Sequence, residues 1–192
     1  CWCSGGVDNT CHARFTGQFG QLPKGYDHKY VYSHFGYNLK MTDLQAAIGV
    51  AQIKKLPAFV KARRKNFDYL SKGLAGLKDK LLLPFTDKAN EPSWFGFPIT
   101  VKPGAGFTRN ELVTHLEGLK IQTRMLFAGN IILHPCFDHI RGDKNVYRVH
   151  GGLANTDAIV TDVFWLGVYP GLGKKQLDFI IRAVKDFADK HK

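Results

Sequence analysis

Long apolar runs are missing from this chain. Of its 192 residues 44% are hydrophobic and 22% charged, mean hydropathy is −0.20, and no uncharged stretch approaches the roughly 18 to 20 residues that a membrane-spanning helix requires. No transmembrane helix is therefore expected. The start Cys1-Trp2-Cys3 has no initiator Met, no basic region and no apolar run, so nothing in it resembles a signal peptide, and a cytoplasmic location and a natural start upstream are expected. Internal repeats and low-complexity segments are also absent, and the hydrophobic content excludes disorder as the main state. Neither an RNA-recognition signature nor a Cys2His2 finger spacing is present.

Acidic residues are few. Against 16 of them stand 27 Lys and Arg, for a net charge of +11. Such an excess suits a phosphate-bearing ligand. Most basic residues nevertheless read as solvated helix faces, among them Lys54, Lys55, Lys61, Arg63, Arg64 and Lys65, and Lys174, Lys175, Arg182 and Lys185 near the end. Nucleic acid is not the expected partner.

Cysteine is scarce but not scattered: of four, Cys1, Cys3 and Cys11 crowd into the first eleven residues as C-x-C-x7-C. Disulfide frameworks spread their pairs along a secreted domain, whereas thiolates gathered in one polar loop can turn toward a single metal centre. Soft thiolates favour zinc, copper(I) or an iron–sulfur cluster, and zinc and cluster sites usually take four protein ligands. His12 would complete a small zinc site; a cysteine outside this chain would complete a 2Fe-2S cluster. Cys136, between Pro135 and Phe137, reads as an ordinary buried thiol.

Residues 1–41 are rich in Gly, His and aromatics without sustained periodicity, so ordered loops with at most short strands are expected. Tyr26, Tyr30, Tyr32, Phe35 and Tyr37 need a covering surface, which a further domain or a second subunit would provide. Residues 42–192 read as a small α+β domain. A capping box, Thr42 with Gln45, opens a helix with apolar residues on two faces (Leu44, Ile48 and Ala51; Val50 and Ile53), which predicts that it is sandwiched. Pro57 starts a second helical segment ending near Gly73 or Gly76. Strands are expected over 94–101, 121–126 and 162–169, a helix from Thr108 with Glu111 to about Leu119, and a final helix from Lys174 with the stripe Leu177, Ile180, Ile181, Val184 and Phe187. The element order suggests an antiparallel sheet.

Several segments match one family in order across nearly the whole chain. After the Cys1–Cys11 cluster come Leu22-Pro23-Lys24-Gly25-Tyr26-Asp27-His28 and Gly36-Tyr37-Asn38-Leu39-Lys40-Met41-Thr42-Asp43. Then follow Pro92-Ser93-Trp94-Phe95-Gly96-Phe97-Pro98, Thr123-Arg124-Met125-Leu126-Phe127-Ala128-Gly129-Asn130 and Phe164-Trp165-Leu166-Gly167-Val168-Tyr169. The Gly-Tyr-Asn-x-Lys-x-Thr-Asp segment resembles the DegT/DnrJ/EryC1/StrS sugar aminotransferase superfamily at large. Its combination with C-x-C-x7-C resembles the C-terminal half of CDP-4-dehydro-6-deoxyglucose 3-dehydratases, enzymes of dideoxysugar synthesis for lipopolysaccharide O-antigens.

The resemblance implies the small domain of a fold-type-I PLP-dependent transferase, preceded by loops that end the large cofactor domain. It implies a homodimer that removes the C3 hydroxyl of a CDP-4-keto-6-deoxyhexose with pyridoxamine 5'-phosphate (PMP, a form of PLP) and a 2Fe-2S cluster. An NADH-dependent flavin and iron–sulfur reductase would donate the electrons. Residue by residue, it implies cluster ligation by Cys1, Cys3 and Cys11, cofactor-binding roles for Asn38 (phosphate of the neighbouring subunit) and Phe95 (ring), and substrate-binding roles for Arg124, Phe127 and Asn130. The catalytic base, a histidine replacing the usual lysine, and the first cluster ligand would lie ahead of Cys1, so the chain alone is expected to be inactive. His34 is read as an ordered loop histidine. The run Leu133-His134-Pro135-Cys136 departs from the family pattern. Two rival readings remain: a plain PLP-dependent nucleotide-sugar aminotransferase, and a small zinc-binding interaction module using Cys1, Cys3, Cys11 and His12.

Overall fold

The computed structural model describes residues 12–191, so Cys1, Cys3 and Cys11, and the ligand roles expected of them, lie outside the described residues. The chain divides into two compact units between Ala47 and Ile48.

Among its described residues the first unit has loops, one 3-10 turn, His28–Tyr30, and the start of a helix at Asp43. Its described part is held together by Arg14, whose Nη2 and Nε donate to one carboxylate oxygen of Asp27 at 2.7 and 3.0 Å. The other oxygen of Asp27 accepts from the Lys29 backbone N–H at 3.1 Å and so caps the turn. The Arg14 guanidinium holds the Asp27 carboxyl below the ordinary carboxylate range. Tyr30, Tyr32, Phe35 and Tyr37 are exposed. Thr42 and Gln45 form the expected cap, with the Thr42 N–H on Gln45 Oε1 at 2.9 Å. Helix α1, Asp43–Ile53, follows it. No residue of α1 is buried by the described residues of this chain, so the layers expected on its two faces are not supplied within it. Two apolar faces need two packing layers, and the core of this chain is built from other helices.

The second unit continues with α2 (Leu56–Leu74), β1 (Leu81–Leu82), β2 (Gly96–Val101), α3 (Arg109–Gly118), β3 (Thr123–Met125), α4 (Ala154–Asp162), β4 (Val163–Gly167) and α5 (Lys174–Lys190). The sheet order is β1-β2-β4-β3, every pair antiparallel. Alternation along β2 fixes the register: Phe97 stands opposite Leu166 and Ile99 opposite Phe164, and all four are buried, because side chains two apart share a face. On that face pack Phe67, Leu70 and Leu74 of α2, Leu112 and Leu116 of α3, and Leu177, Ile180, Val184 and Phe187 of α5. Burying one such side chain contributes about 1.5–3 kcal/mol. Pro98 is tolerated in β2 because β1 pairs only with Val101 and Thr100, leaving an edge where a missing N–H breaks no ladder.

Polar ties fix the helices. Asn66 on α2 is 4% exposed and donates to the carbonyls of Tyr169 at 3.0 Å and Val168 at 3.4 Å, anchoring the turn after β4. Arg63 donates to the Trp94 carbonyl at 3.0 Å and Arg64 Nε to that of Pro92 at 3.1 Å. These two arginines are therefore not merely solvated, as periodicity had suggested: the extended strap before β2 crosses α2 and offers them carbonyls. Phe67 stacks on Trp94 with ring centroids 4.2 Å apart. Between α2 and α5, Tyr69 donates to Asp178 at 2.5 Å, which also accepts from Lys174 at 2.6 Å.

Two elements escaped the sequence reading: the two-residue β1, too short to show alternation, and α4, whose N-terminus has no side-chain cap. Cys136 is exposed, correcting the expectation of burial. It sits on the 3-10 turn Pro135–Phe137, in a run of short turns over 131–147 with no strand or helix to cover it.

A Cβ on Gly96 would fall 1.7 Å from Cε3 of Trp165. Gly96→Ala should therefore destabilise the fold by about 1–3 kcal/mol through overpacking and change the near-ultraviolet circular dichroism of the displaced indole; both are read in one denaturation series. Lys174 and Tyr69 hold the Asp178 carboxyl below its ordinary value of 3.8. Its stabilisation is thus present above that value and lost as pH falls through the lower folded one. Asp178→Asn should be less stable than the parent at pH 7 and indistinguishable from it in strong acid, as measured by denaturant midpoints across pH.

Candidate functional site

The sheet face opposite the core carries the candidate site. Arg124 on β3 stands opposite Trp165 on β4, which stands opposite Pro98 on β2, so all three project away from α2, α3 and α5. The Trp165 indole lies over Gly96, and its Nε1 donates to the Met125 carbonyl at 2.9 Å. Two further aromatic rings meet it: Phe95 at 4.7 Å and Phe127 at 5.6 Å between centroids. Phe95 and Phe127 are 60% and 68% exposed, an apolar surface open to a flat ligand. The Arg124 guanidinium lies 5.9 Å from the Trp165 ring, within cation–π range.

Phe127 is held by a tight turn. Ala128 and Gly129 both have positive φ, 54° and 53°, and the Gly129 N–H donates to the Phe127 carbonyl at 2.7 Å. A Cβ on Gly129 would meet Val160 at 2.7 Å, so glycine is required for its backbone and for its space. His134 Nε2 bonds the Ala128 carbonyl at 2.7 Å. Asn130 is buried, and its amide donates to Asp157 on α4 at 2.7 Å, so in this arrangement that N–H secures the turn to α4.

Beside the aromatic cluster opens a cavity of about 710 Å³, walled by Phe95, Trp165 and Tyr169 and by four cations, Arg63, Lys120, Arg124 and Lys175. No carboxylate, imidazole or thiol lines it. Such a wall is cationic and aromatic, and offers none of those groups as a general base.

Of the residues singled out from sequence, Phe95, Arg124 and Phe127 come together here, with Asn130 behind them. Asn38 belongs to the first unit and is exposed, leaving its amide available to a phosphate oxygen. His34 is exposed and bonded through Nδ1 to the Ser33 hydroxyl at 2.9 Å. Sequence reasoning did not single out Trp165, Lys120 or Lys175 for the site. Trp165 showed only as a strand residue and Lys175 as a solvated helix charge, and Lys120 carried no pattern of its own; only the tertiary structure gathers them. The open face of Phe95 suits a pyridine ring. For a metal, no group of three His, Cys, Asp or Glu side chains able to hold one occurs among the described residues, and no described helix is long and apolar enough to cross a membrane.

Comparison with known proteins adds the relationship. The chain is 50% identical over 187 residues to lipopolysaccharide biosynthesis protein RfbH of Salmonella typhimurium, covering 97% of this chain and 42% of that protein. It is 50% identical over 190 residues to dTDP-4-dehydro-2,6-dideoxy-D-glucose 3-dehydratase of Saccharopolyspora spinosa, covering 99% and 40%. A solved GDP-4-keto-6-deoxymannose-3-dehydratase with a trapped PLP–glutamate geminal diamine superposes with a TM-score of 0.65 at 27% identity, covering 81% of this chain and 39% of that one. The chain thus spans about 40% of the length of the curated relatives it matches, and its architecture is that of part of a fold-type-I PLP-dependent enzyme. The model of the DegT/DnrJ/EryC1/StrS aminotransferase family matches residues 10–185, and the chain belongs to that family.

Proposed function

We propose that this chain supplies the small domain and the cysteine loop of a nucleotide-sugar 3-dehydratase, removing the C3 hydroxyl of a CDP-4-keto-6-deoxyhexose with PMP and a 2Fe-2S cluster. The observation that carries the reading is C-x-C-x7-C standing in one chain with the superfamily segment Gly36–Asp43. The 50% identity to a protein named as a sugar 3-dehydratase supports it. The donor set also suits the cluster: three thiolates close in sequence are soft, oxidisable ligands, with a fourth to come from ahead of Cys1. When bound, PMP supplies an electron sink and the cluster a relay for single electrons.

This chain's own residues then bind and orient. Arg124 and its neighbouring lysines neutralise the substrate's diphosphate, and Phe95 and Phe127, exposed where Trp165 is buried, offer flat apolar surface to rings. Asn38 donates to the cofactor phosphate of a second subunit. The base belongs to residues ahead of Cys1, as do the remaining cofactor contacts. In this reading the enzyme is a cytoplasmic homodimer served by an NADH-dependent flavin and iron–sulfur reductase. The domain bounds of this reading are 1–41, for the cysteine loop and dimer-interface segment, and 42–192, for the small domain. The family also holds aminotransferases, so transamination is the competing reaction.

Air-free purification of the enzyme containing this chain should give iron and acid-labile sulfide in a near two-to-two ratio, and reductase-dependent loss of the C3 hydroxyl. A colourless protein with one zinc, or glutamate-dependent amination of the keto-sugar, would overturn the reading. Cys3→Ser should abolish reductase-dependent turnover while leaving cofactor binding, followed by visible absorbance, unchanged.

A further inference from the structure

We propose that His134 is a positioning residue for the aromatic cluster: its ring Nε2–H latches the carbonyl of a strained turn and so fixes where the exposed ring of Phe127 stands. This role rests on the reading above that Phe127 meets a ring.

Phe127 has little of its own to hold it. Its side chain is 68% exposed, with an edge-on contact to Trp165 at 5.6 Å and a tilted one to Phe95 at 6.3 Å between centroids. Exposed side chains change rotamer within nanoseconds, so the direction of this ring depends on the turn that carries it. That turn is tight. The Gly129 N–H donates to the Phe127 carbonyl two residues back at 2.7 Å, around Ala128 at φ 54°. A three-residue turn closed around a positive φ is the strained form, and alanine carries the Cβ that makes it so. Such a conformation persists only where its surroundings over-determine it.

The surroundings supply three ties. Two come from α4, the Asn130 amide on Asp157 at 2.7 Å and the Val160 side chain against Gly129, and both hold residues after Ala128. The third is on Ala128 itself, whose carbonyl meets His134 Nε2 at 2.7 Å. A carbonyl only accepts, so Nε2 carries the proton and donates. The histidine is set in place beforehand. Pro135 follows it and confines it to extended backbone, seen as φ −73° and ψ 143°. Its N–H donates to the Ile131 carbonyl at 3.1 Å, and its own carbonyl accepts from the Phe137 N–H at 3.0 Å and from Arg141 Nη2 at 3.1 Å. Arg141 in turn donates through Nε to the Ile132 carbonyl at 2.9 Å and pairs with Asp138 at 2.6 Å. A donor already ordered loses little freedom on bonding, which is what lets an exposed hydrogen bond stabilise a turn. With Nε2 committed to a backbone carbonyl and the ring off the cavity wall, His134 acts through Phe127.

The enzyme containing this chain is labelled with fluorotryptophan and read by fluorine NMR, with Trp165→Phe and Trp94→Phe assigning their resonances. His134→Ala should move the Trp165 resonance as Phe127→Ala does and leave that of Trp94, which stacks on Phe67, in place. His134→Gln should restore the parent position, because the Gln amide nitrogen stands as many bonds from Cα as Nε2. His134→Asn, whose amide stops one bond short, should not. In the same enzyme His134→Ala should raise the KM of the nucleotide sugar about tenfold, the equivalent of about 1.4 kcal/mol, with kcat within about twofold. In a Phe127→Ala background it should cost nothing further. An unmoved Trp165 resonance, failure of Gln to restore it, rescue by Asn, movement of the Trp94 resonance alongside, an unchanged KM or an additive loss in the double variant would each overturn the latch. The fluorine result needs no turnover, so it stands if the enzyme proves to be an aminotransferase. Conversely, iron-dependent dehydration by an enzyme whose Trp165 resonance ignores His134 would sink the latch and leave the function standing.

Discussion

The pairing of β2 with β4 is the constraint on which the rest depends. Five consecutive residue pairs, from Gly96 opposite Gly167 to Thr100 opposite Val163, divide every side chain of the two strands between a helix-covered face and an open one. Phe97, Ile99, Phe164 and Leu166 go to the core, and Trp165 and Pro98 to the other side. A slip of one residue would exchange the sets, burying a bare glycine and proline and exposing the phenylalanines. The register therefore defines both the core and the site.

The open face shows how an apolar scaffold presents charge. Trp165 fits only because Gly96 has no side chain, and the packed indole gives Arg124 a surface to lie over. Asn66, buried on α2, draws the turn after β4 inward through two backbone carbonyls and so sets where Tyr169 joins the wall. These are interactions between elements far apart in sequence. None of them involves a residue exotic in itself.

Some of this was written in local pattern. The Thr108–Glu111 capping box announced α3 and is present in full, since a cap depends on residues three apart. The stripe Leu177, Ile180, Val184 and Phe187 announced α5 for the same reason. Arg63 and Arg64 looked like solvent charges because helical period reports only which residues share a face, not that an extended strap will cross that face. Cys136 looked buried because its neighbours Pro135 and Phe137 are apolar, yet burial needs a covering layer that a run of short turns does not provide.

By itself the sequence determined the family, the antiparallel α+β class and the presence of Phe95, Arg124 and Phe127 as candidates, because motifs, caps and alternation are short-range properties. Only the tertiary structure decided that Lys120 and Lys175 share a hollow with Arg124, that Asn130 faces Asp157 and that α1 is uncovered within this chain. Each of those depends on where distant segments meet, which is set by strand register and helix packing rather than by any local run of residues.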